Sequence, residues 1–221
     1  MTLTLYFHPF SSFCQKVLVA LYERDVGFAP QIVNLGDPDD RAMLEALWPM
    51  AKFPVLRDEA AGRTIAEGSV IVEYLDRFGA APPLVPEGED AALDARLWDR
   101  VFDLYVNVPL QKAVGDQLRP ETARDAYGVE EAKAALGRAY GTIEAQLART
   151  GSDWICGDAF TLADCAAAPA LFYANVVRPL RDHPRLTAYY ERLLARASFA
   201  RAVEEARPYR DFFPLEWPPD Y

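Results

Sequence analysis

Leu3, Leu5 and Phe7 recur at period two, the mark of a strand with one buried face, and Cys14, Val17, Leu18 and Leu21 then recur at helical spacing. Gly27 punctuates, Phe28 to Val33 reads as a second strand, and from Pro38 to Trp48 the helical pattern returns. There Met43, Leu44 and Leu47 are apolar against Asp39, Asp40 and Glu45. Pro54 to Leu56 and Arg63 to Ala66 flank Ala60-Ala61-Gly62, the composition of a hairpin turn. Val70, Ile71, Tyr74, Leu75 and Phe78 follow as one face of a third helix. The predicted order over residues 1–80 is β-α-β-α-β-β-α, which requires a parallel pair joined through a helix plus an antiparallel hairpin in one mixed sheet.

That is the order of a thioredoxin-like domain. From Ala80 to Gly88 three prolines forbid a continuing helix or central strand, so residues 81–88 are read as a linker. Beyond it only helical stripes appear. Leu93, Leu97, Val101, Leu104 and Val108 are read as core, followed by Ala132, Leu136, Ile143 and Leu147, and then Leu186, Tyr189, Leu193 and Leu194. The fold class is therefore α/β plus all-α, with an all-helical second domain over residues 89–221. Thr161-Leu162-Ala163-Asp164 has the form of a capping box with Phe160 and Cys165 placed as its staple, and is assigned to folding.

At 221 residues the chain can bury a real core with neither disulfides nor a structural metal. Its formal net charge of −10 argues against nucleic acid and acidic membranes as partners. No basic segment hides in that average, since residues 1–80 carry 7 basic and 11 acidic side chains and the remainder 16 and 22. Three cysteines, Cys14, Cys156 and Cys165, fit a reducing compartment, and Met1 to Phe10 has neither the basic start of a signal peptide nor the length of a membrane span. The expected location is cytoplasmic.

Chemistry concentrates at three places. Ser11 lies three residues before Cys14, the spacing of a Cys-x-x-Cys redox motif whose first cysteine has become serine, leaving a hydroxyl at a helix N-terminus where anions are favoured. Lys52-Phe53-Pro54 puts a proline at the first residue of a strand. Glu67-Gly68-Ser69 opens the third helix with a carboxylate. With only His8 and His183 in the chain and no partnering pattern, a Ser-His-Asp hydrolase is not expected.

At these three elements, and in the Thr161–Asp164 box, the sequence resembles the cytosolic glutathione S-transferases, in a serine-type, bacterial-like form, over its whole length. The resemblance implies that Ser11, with Ser12 as its neighbour, hydrogen-bonds the glutathione sulfur. It implies that Pro54 is a cis-proline, that the Phe53 backbone holds the cysteinyl part, and that Lys52 meets the glycyl carboxylate. Glu67 would face the γ-glutamyl amino group. Where the family has Glu-Ser this chain has Glu67-Gly68, losing a hydroxyl on the γ-glutamyl carboxylate; the Gly68 N–H and Ser69 are the expected substitutes. Lys16 and Lys52 would supply local positive charge. Glutathione is the implied co-substrate and a symmetric homodimer the implied assembly. The reaction would be transfer to a small, mostly apolar electrophile, or else isomerisation, dehalogenation or peroxide reduction at the same site. A binding or regulatory module that has kept only the fold is the alternative.

Each residue also has a plainer reading. Ser11 and Ser12 suit helix caps, Tyr6 a sheet tyrosine in place of a sulfur donor, and Cys14 a small buried hydrophobe. His8 adjoins Pro9 in the site loop. Phe10, Trp98, Phe102 and Tyr105 are candidates for the apolar co-substrate pocket, with packing in the bundle or across a dimer interface as the competing reading of the last three. The aromatic tail from Tyr209 to Tyr221 either lids the cleft or packs on the helices, and packing is favoured.

Overall fold

The structure is a computed structural model that describes residues 3–217. β1 (Leu3–Phe7) lies inside the sheet, with Leu3, Leu5 and Phe7 all buried. It pairs in parallel with β2 (Ala29–Ile32) across α1 (Ser12–Glu23), and antiparallel with β3 (Val55–Asp58), which turns back into β4 (Arg63–Ala66). The sheet order is β2-β1-β3-β4. α2 (Pro38–Leu47) begins where the Asp37 carboxylate accepts from the N–H groups of Asp39 and Asp40, with Pro38 at the first helical position. α3 (Gly68–Leu75) follows β4 directly. This is the expected mixed sheet in the expected order. β2 is shorter than the apolar run suggested, and as an edge strand it is exposed along its length.

The remainder is helical. α4 (Glu89–Val101) runs through a π-helical segment, Phe102–Asn107, into α5 (Val108–Gln117), followed by α6 (Ala126–Thr150), α7 (Leu162–Val177), α8 (Pro184–Ala195) and α9 (Ala197–Ala206). α7 is the central helix. Its alanines 166, 167, 168 and 170 are fully buried, and such small side chains let α1 and α4 pack closely against it. The capping box forms as expected: Asp164 Oδ2 accepts from the Thr161 N–H at 2.8 Å and from its hydroxyl at 3.0 Å. Asp164 Oδ1 also accepts from the Tyr189 hydroxyl at 2.6 Å and the Ile155 N–H at 3.2 Å.

Residues between α3 and α4 are anchored rather than loose. The Asp76 carboxylate accepts from the N–H groups of Leu84 and Val85 at 2.8 and 2.9 Å, and the Leu84 carbonyl accepts from the Leu162 N–H at 2.8 Å. Across the two halves, α1 packs on both α7 and α9, and Glu23 pairs with Arg196 at 2.6 Å. One apolar core therefore runs from the sheet into the bundle.

One stripe is reversed. Leu93, Leu97, Leu104 and Val108 are exposed, between 49% and 65%, whereas Ala92, Ala95, Trp98, Phe102 and Val106 are buried. The core face of α4 is built of alanines and two large rings, so the more conspicuous leucines mark the outer face.

Candidate functional site

The loop from His8 to Ser11 is fixed before any ligand arrives. Ser11 is the N-cap of α1, extended at φ −85° and ψ 126°, and its Oγ accepts a long bond from the Cys14 N–H at 3.4 Å. A hydroxyl oxygen that accepts still has its proton to donate, so the cap role and the role of sulfur donor coexist. The Phe10 N–H donates to His8 Nδ1 at 3.2 Å. From beneath, the buried Gln15 donates through Nε2 to the Pro9 carbonyl at 3.0 Å and to the Tyr173 hydroxyl at 3.1 Å, and that hydroxyl donates to the Phe10 carbonyl at 3.1 Å. Burial pushes the Tyr173 phenol up, so it remains a neutral donor.

Two of the cavities near the start of α1 bear on the site. A cleft of about 520 Å³ is lined by Lys52, Phe53, Pro54, Glu67, Gly68 and Ser69, together with Arg100, Asp103 and Gln111. All six residues singled out for glutathione binding thus meet in one place. The Phe53–Pro54 bond is cis. Glu67 sits at φ 69° and ψ 122°, a conformation rarely adopted by a residue with a side chain and found mostly where a site requires it. A second cavity of about 330 Å³ is lined by Phe10, Ser11 and Ser12 against Leu110, Val114, Tyr173 and the tail residues Phe212 to Pro214. Gln111 borders both, so the polar cleft and the more apolar cavity adjoin at the start of α1.

Family comparisons fit this geometry. Residues 5–83 match the family described as glutathione S-transferase, N-terminal domain, and residues 126–192 match glutathione S-transferase, C-terminal domain. The chain belongs to the cytosolic glutathione S-transferase family. Among its relatives in this family's fold, a glutathione S-transferase from Methylobacillus flagellatus KT, solved with GSH bound, superposes with a TM-score of 0.82 at 27% identity, over 90% of this chain and 98% of that one. Glutathione S-transferase F13 of Arabidopsis thaliana is 26% identical over 91% of this chain and 94% of its own. FtsZ-localized protein A of Caulobacter vibrioides is 27% identical over 93% and 92%.

Within this glutathione S-transferase fold several expectations are corrected, while the plainer readings of Cys14 as a buried hydrophobe and Tyr6 as a sheet tyrosine hold. Trp98 and Phe102, read as pocket candidates, are buried in the bundle with ring centroids 6.5 Å apart and line neither cavity. Tyr105 is exposed and borders a different groove with Pro109 and Arg138. Only Phe10 of that group lines the apolar cavity. Lys16 is not a surface cation: it is 1% exposed and paired with Asp99 and Asp103, at 2.9 Å for the latter. The Ser69 hydroxyl is engaged by the same cluster. Cys14 is fully buried, and burial pushes its thiol up to about 12, so it is packing and not redox chemistry. Tyr6 lies in β1 and lines neither cavity.

The described part of the tail packs on the helices, the favoured reading, and borders the apolar cavity. Phe213 packs on Tyr173 at 5.7 Å between ring centroids and lines the apolar cavity, as does the exposed Phe212. Pro218, Pro219 and Tyr221 of that tail lie outside the described residues. His8 lines neither cavity; its ring meets Tyr209 edge-on at 4.7 Å and stacks near Phe53 at 6.2 Å, and burial holds its imidazole below the ordinary value.

The residues missed at the level of sequence sit at the end of α4 and in the π-helical segment after it. Asp99 and Arg100 close α4 and Asp103 lies in the π-helical segment that follows, flanking the face that carries Trp98 and Phe102; such segments are often found beside functional groups. Asp103 is buried, and burial pushes its carboxyl up against the opposing pull of Lys16. Their signal was a lysine in an otherwise apolar helix, Lys16, which needs a buried counter-charge somewhere.

Proposed function

We propose that this glutathione S-transferase activates its co-substrate with Ser11, binds it in the cleft of Lys52, Phe53, Pro54, Glu67, Gly68 and Ser69, and delivers it to a small apolar electrophile beside Phe10. Glutathione supplies the sulfur nucleophile. Ser11 and Ser12 stand at the start of α1, where the hydroxyl and the free N–H groups favour an anion. Lowering a thiol by about two units requires roughly 2.7 kcal/mol of preference for the thiolate. One hydrogen bond to a charged group contributes about 1.5–3 kcal/mol, and a helix N-terminus adds about 0.3–1. The serine and the helix start together suffice, with the serine as donor and not as nucleophile. Holding thiolate and electrophile in adjoining cavities supplies the remaining advantage through proximity.

The observation that carries this reading is the adjacency of the two cavities, which share Gln111 and are lined by Ser11 and Ser12 on one side and by Phe13 on the other. Residues 1–80 are taken as the glutathione-binding unit, 81–88 as the linker and 89–221 as the source of the electrophile site. The exposed Leu93 and Leu97 on α4 support a homodimer through that face. No helix among the described residues is long and apolar enough to cross a membrane, and the three free cysteines favour a cytoplasmic setting. The test is conjugation of glutathione to an aryl halide by Ser11→Ala, Ser12→Ala and Tyr6→Phe at fixed thiol. Ser11→Ala should lose activity by about tenfold or more, and the other two should lose little; an unchanged Ser11→Ala rejects the assignment.

Gly68 in place of the expected serine, and similarity to a protein named for localisation with FtsZ, favour a second reading as a binding module with little transfer activity. Immobilised glutathione separates the two, since the transferase should be retained and eluted by free glutathione.

A further inference from the structure

Gly68 leaves a gap in the cleft that its neighbour does not fill. The Ser69 hydroxyl donates to Asp99 Oδ2 at 2.7 Å and accepts from Lys16 Nζ at 2.9 Å, with Arg100 Nη2 beside it, so its single proton, the only donor it could offer a carboxylate, is used. It has nothing left to donate to a ligand.

The side chain that does reach this end of the cleft is Arg100, which lines it together with Glu67 and Gly68. Its guanidinium is held from one side. Nε and Nη2 donate to Asp99 Oδ2 at 3.1 and 2.8 Å, and Nη2 also contacts Asp103 Oδ2. No bond among the described residues engages Nη1, and 47% of the side chain is exposed. Two lysine and arginine charges against two aspartates leave the cluster formally neutral, so Arg100 is fixed in place with one edge open. A guanidinium ordered in advance loses little side-chain entropy when a carboxylate arrives.

We propose that Arg100 binds the α-carboxylate of the γ-glutamyl residue through its Nη1 edge, taking over from the hydroxyl missing at Gly68. This rests on the glutathione reading and adds a specificity-determining residue to it. Asp99 and Asp103 are then positioning residues, and Lys16 balances their charge from the core. A buried lysine and two buried aspartates thus serve to aim one exposed arginine.

Calorimetric titration with two peptides tests this: glutathione, and 4-aminobutyryl-cysteinyl-glycine, which differs only in lacking the γ-glutamyl α-carboxylate. The native protein should bind glutathione about tenfold or more tighter than the analogue. Arg100→Ala should abolish that preference by weakening glutathione alone, and Arg100→Lys, which keeps a cation over Asp99 and Asp103, should retain part of it. Gly68→Ser in the Arg100→Ala background should restore part of it as well, because a Cβ at Gly68 would meet only ordinary contacts, 3.5 Å from the Phe13 carbonyl oxygen and 3.6 Å from Lys16 Cδ. Thermal unfolding of each variant establishes that it is folded. Equal weakening of both peptides in Arg100→Ala and Arg100→Lys, or no weakening at all, overturns the proposal while leaving the glutathione reading of the site standing. Binding of neither peptide by the native protein overturns the glutathione reading and the role of Arg100 with it.

Discussion

The Tyr173 hydroxyl donates to the Phe10 carbonyl at 3.1 Å, joining the C-terminal half of α7 to the residue immediately before Ser11. The same oxygen accepts from Gln15, so one phenol fixes both the loop and the first helix. Tyr173→Phe keeps the ring against Phe213 and deletes these bonds. We expect a loss of about 1–2 kcal/mol, seen as a fall in Tm of about 2–8 °C. Because the Ser11 loop loses its tether, the KM for glutathione should also rise. An unchanged Tm together with an unchanged KM would show that the bonds position nothing.

Asp164 is the polar centre of the helical half. It is completely buried and accepts from Thr161, Ile155 and Tyr189. Asp164→Ala leaves these donors without an acceptor in the core, which costs about 3 kcal/mol or more. Thermal denaturation should show a fall of about 6–12 °C. A shift within the range of ordinary surface substitutions would mean that water or rearrangement satisfies the donors.

His8 gives the site loop a dependence on acidity. Its Nδ1 accepts from the Phe10 N–H, which requires the neutral ring, and burial holds its folded pKa below the unfolded value. The resulting stability is fully present above about 6.5 and is lost as the pH falls through the folded pKa. His8→Asn, whose side-chain oxygen can accept the same bond without titrating, should show a flatter decline of Tm on acidification. Parallel declines in the two proteins would assign the acid sensitivity to other groups.

The three thiols should be inert in the folded protein. Cys14 and Cys165 are fully buried, and burial pushes Cys14 up to about 12, as it does the half-buried Cys156. A disulfide reagent at mildly alkaline pH should titrate Cys156 slowly at most, and all three after denaturation. Rapid modification of Cys14 would place it in the site chemistry.

The exposed leucines of α4 yield a prediction about assembly. Leu93 and Leu97 are 65% and 54% exposed, one turn apart on the outer face. Sedimentation should find a dimer that Leu97→Arg converts to monomers with no loss of secondary structure. A dimer that survives the substitution would place the interface elsewhere.

How far the sequence could be read depended on whether the signal was local. The alternation in β1, the stripe in α1 and the Thr161–Asp164 box depend on neighbours along the chain, and all three appear in the fold. The sheet order followed because a parallel pair across a helix and a hairpin admit few arrangements. α4 misled because its buried face is made of Ala92, Ala95, Trp98 and Asp99, among which the alanines and the aspartate do not announce a core, while the leucines that do announce one face outward. Lys16 reads as local positive charge for the site because nothing near it in sequence reveals its counter-charges, Asp99 and Asp103, which are more than eighty residues away. Arg100 and Tyr173 were missed because each acquires its role only when the helical half closes over the start of α1.

The central claim is that the Ser11 hydroxyl stabilises a thiolate that belongs to the ligand. The direct measurement is the ultraviolet absorbance of the thiolate of bound glutathione, titrated against pH in the native protein and in Ser11→Ala. The native complex should titrate about two units below the ordinary thiol value near 8.5, and Ser11→Ala should return most of the way to it, by about one unit or more. The same low pKa in both proteins would contradict the account.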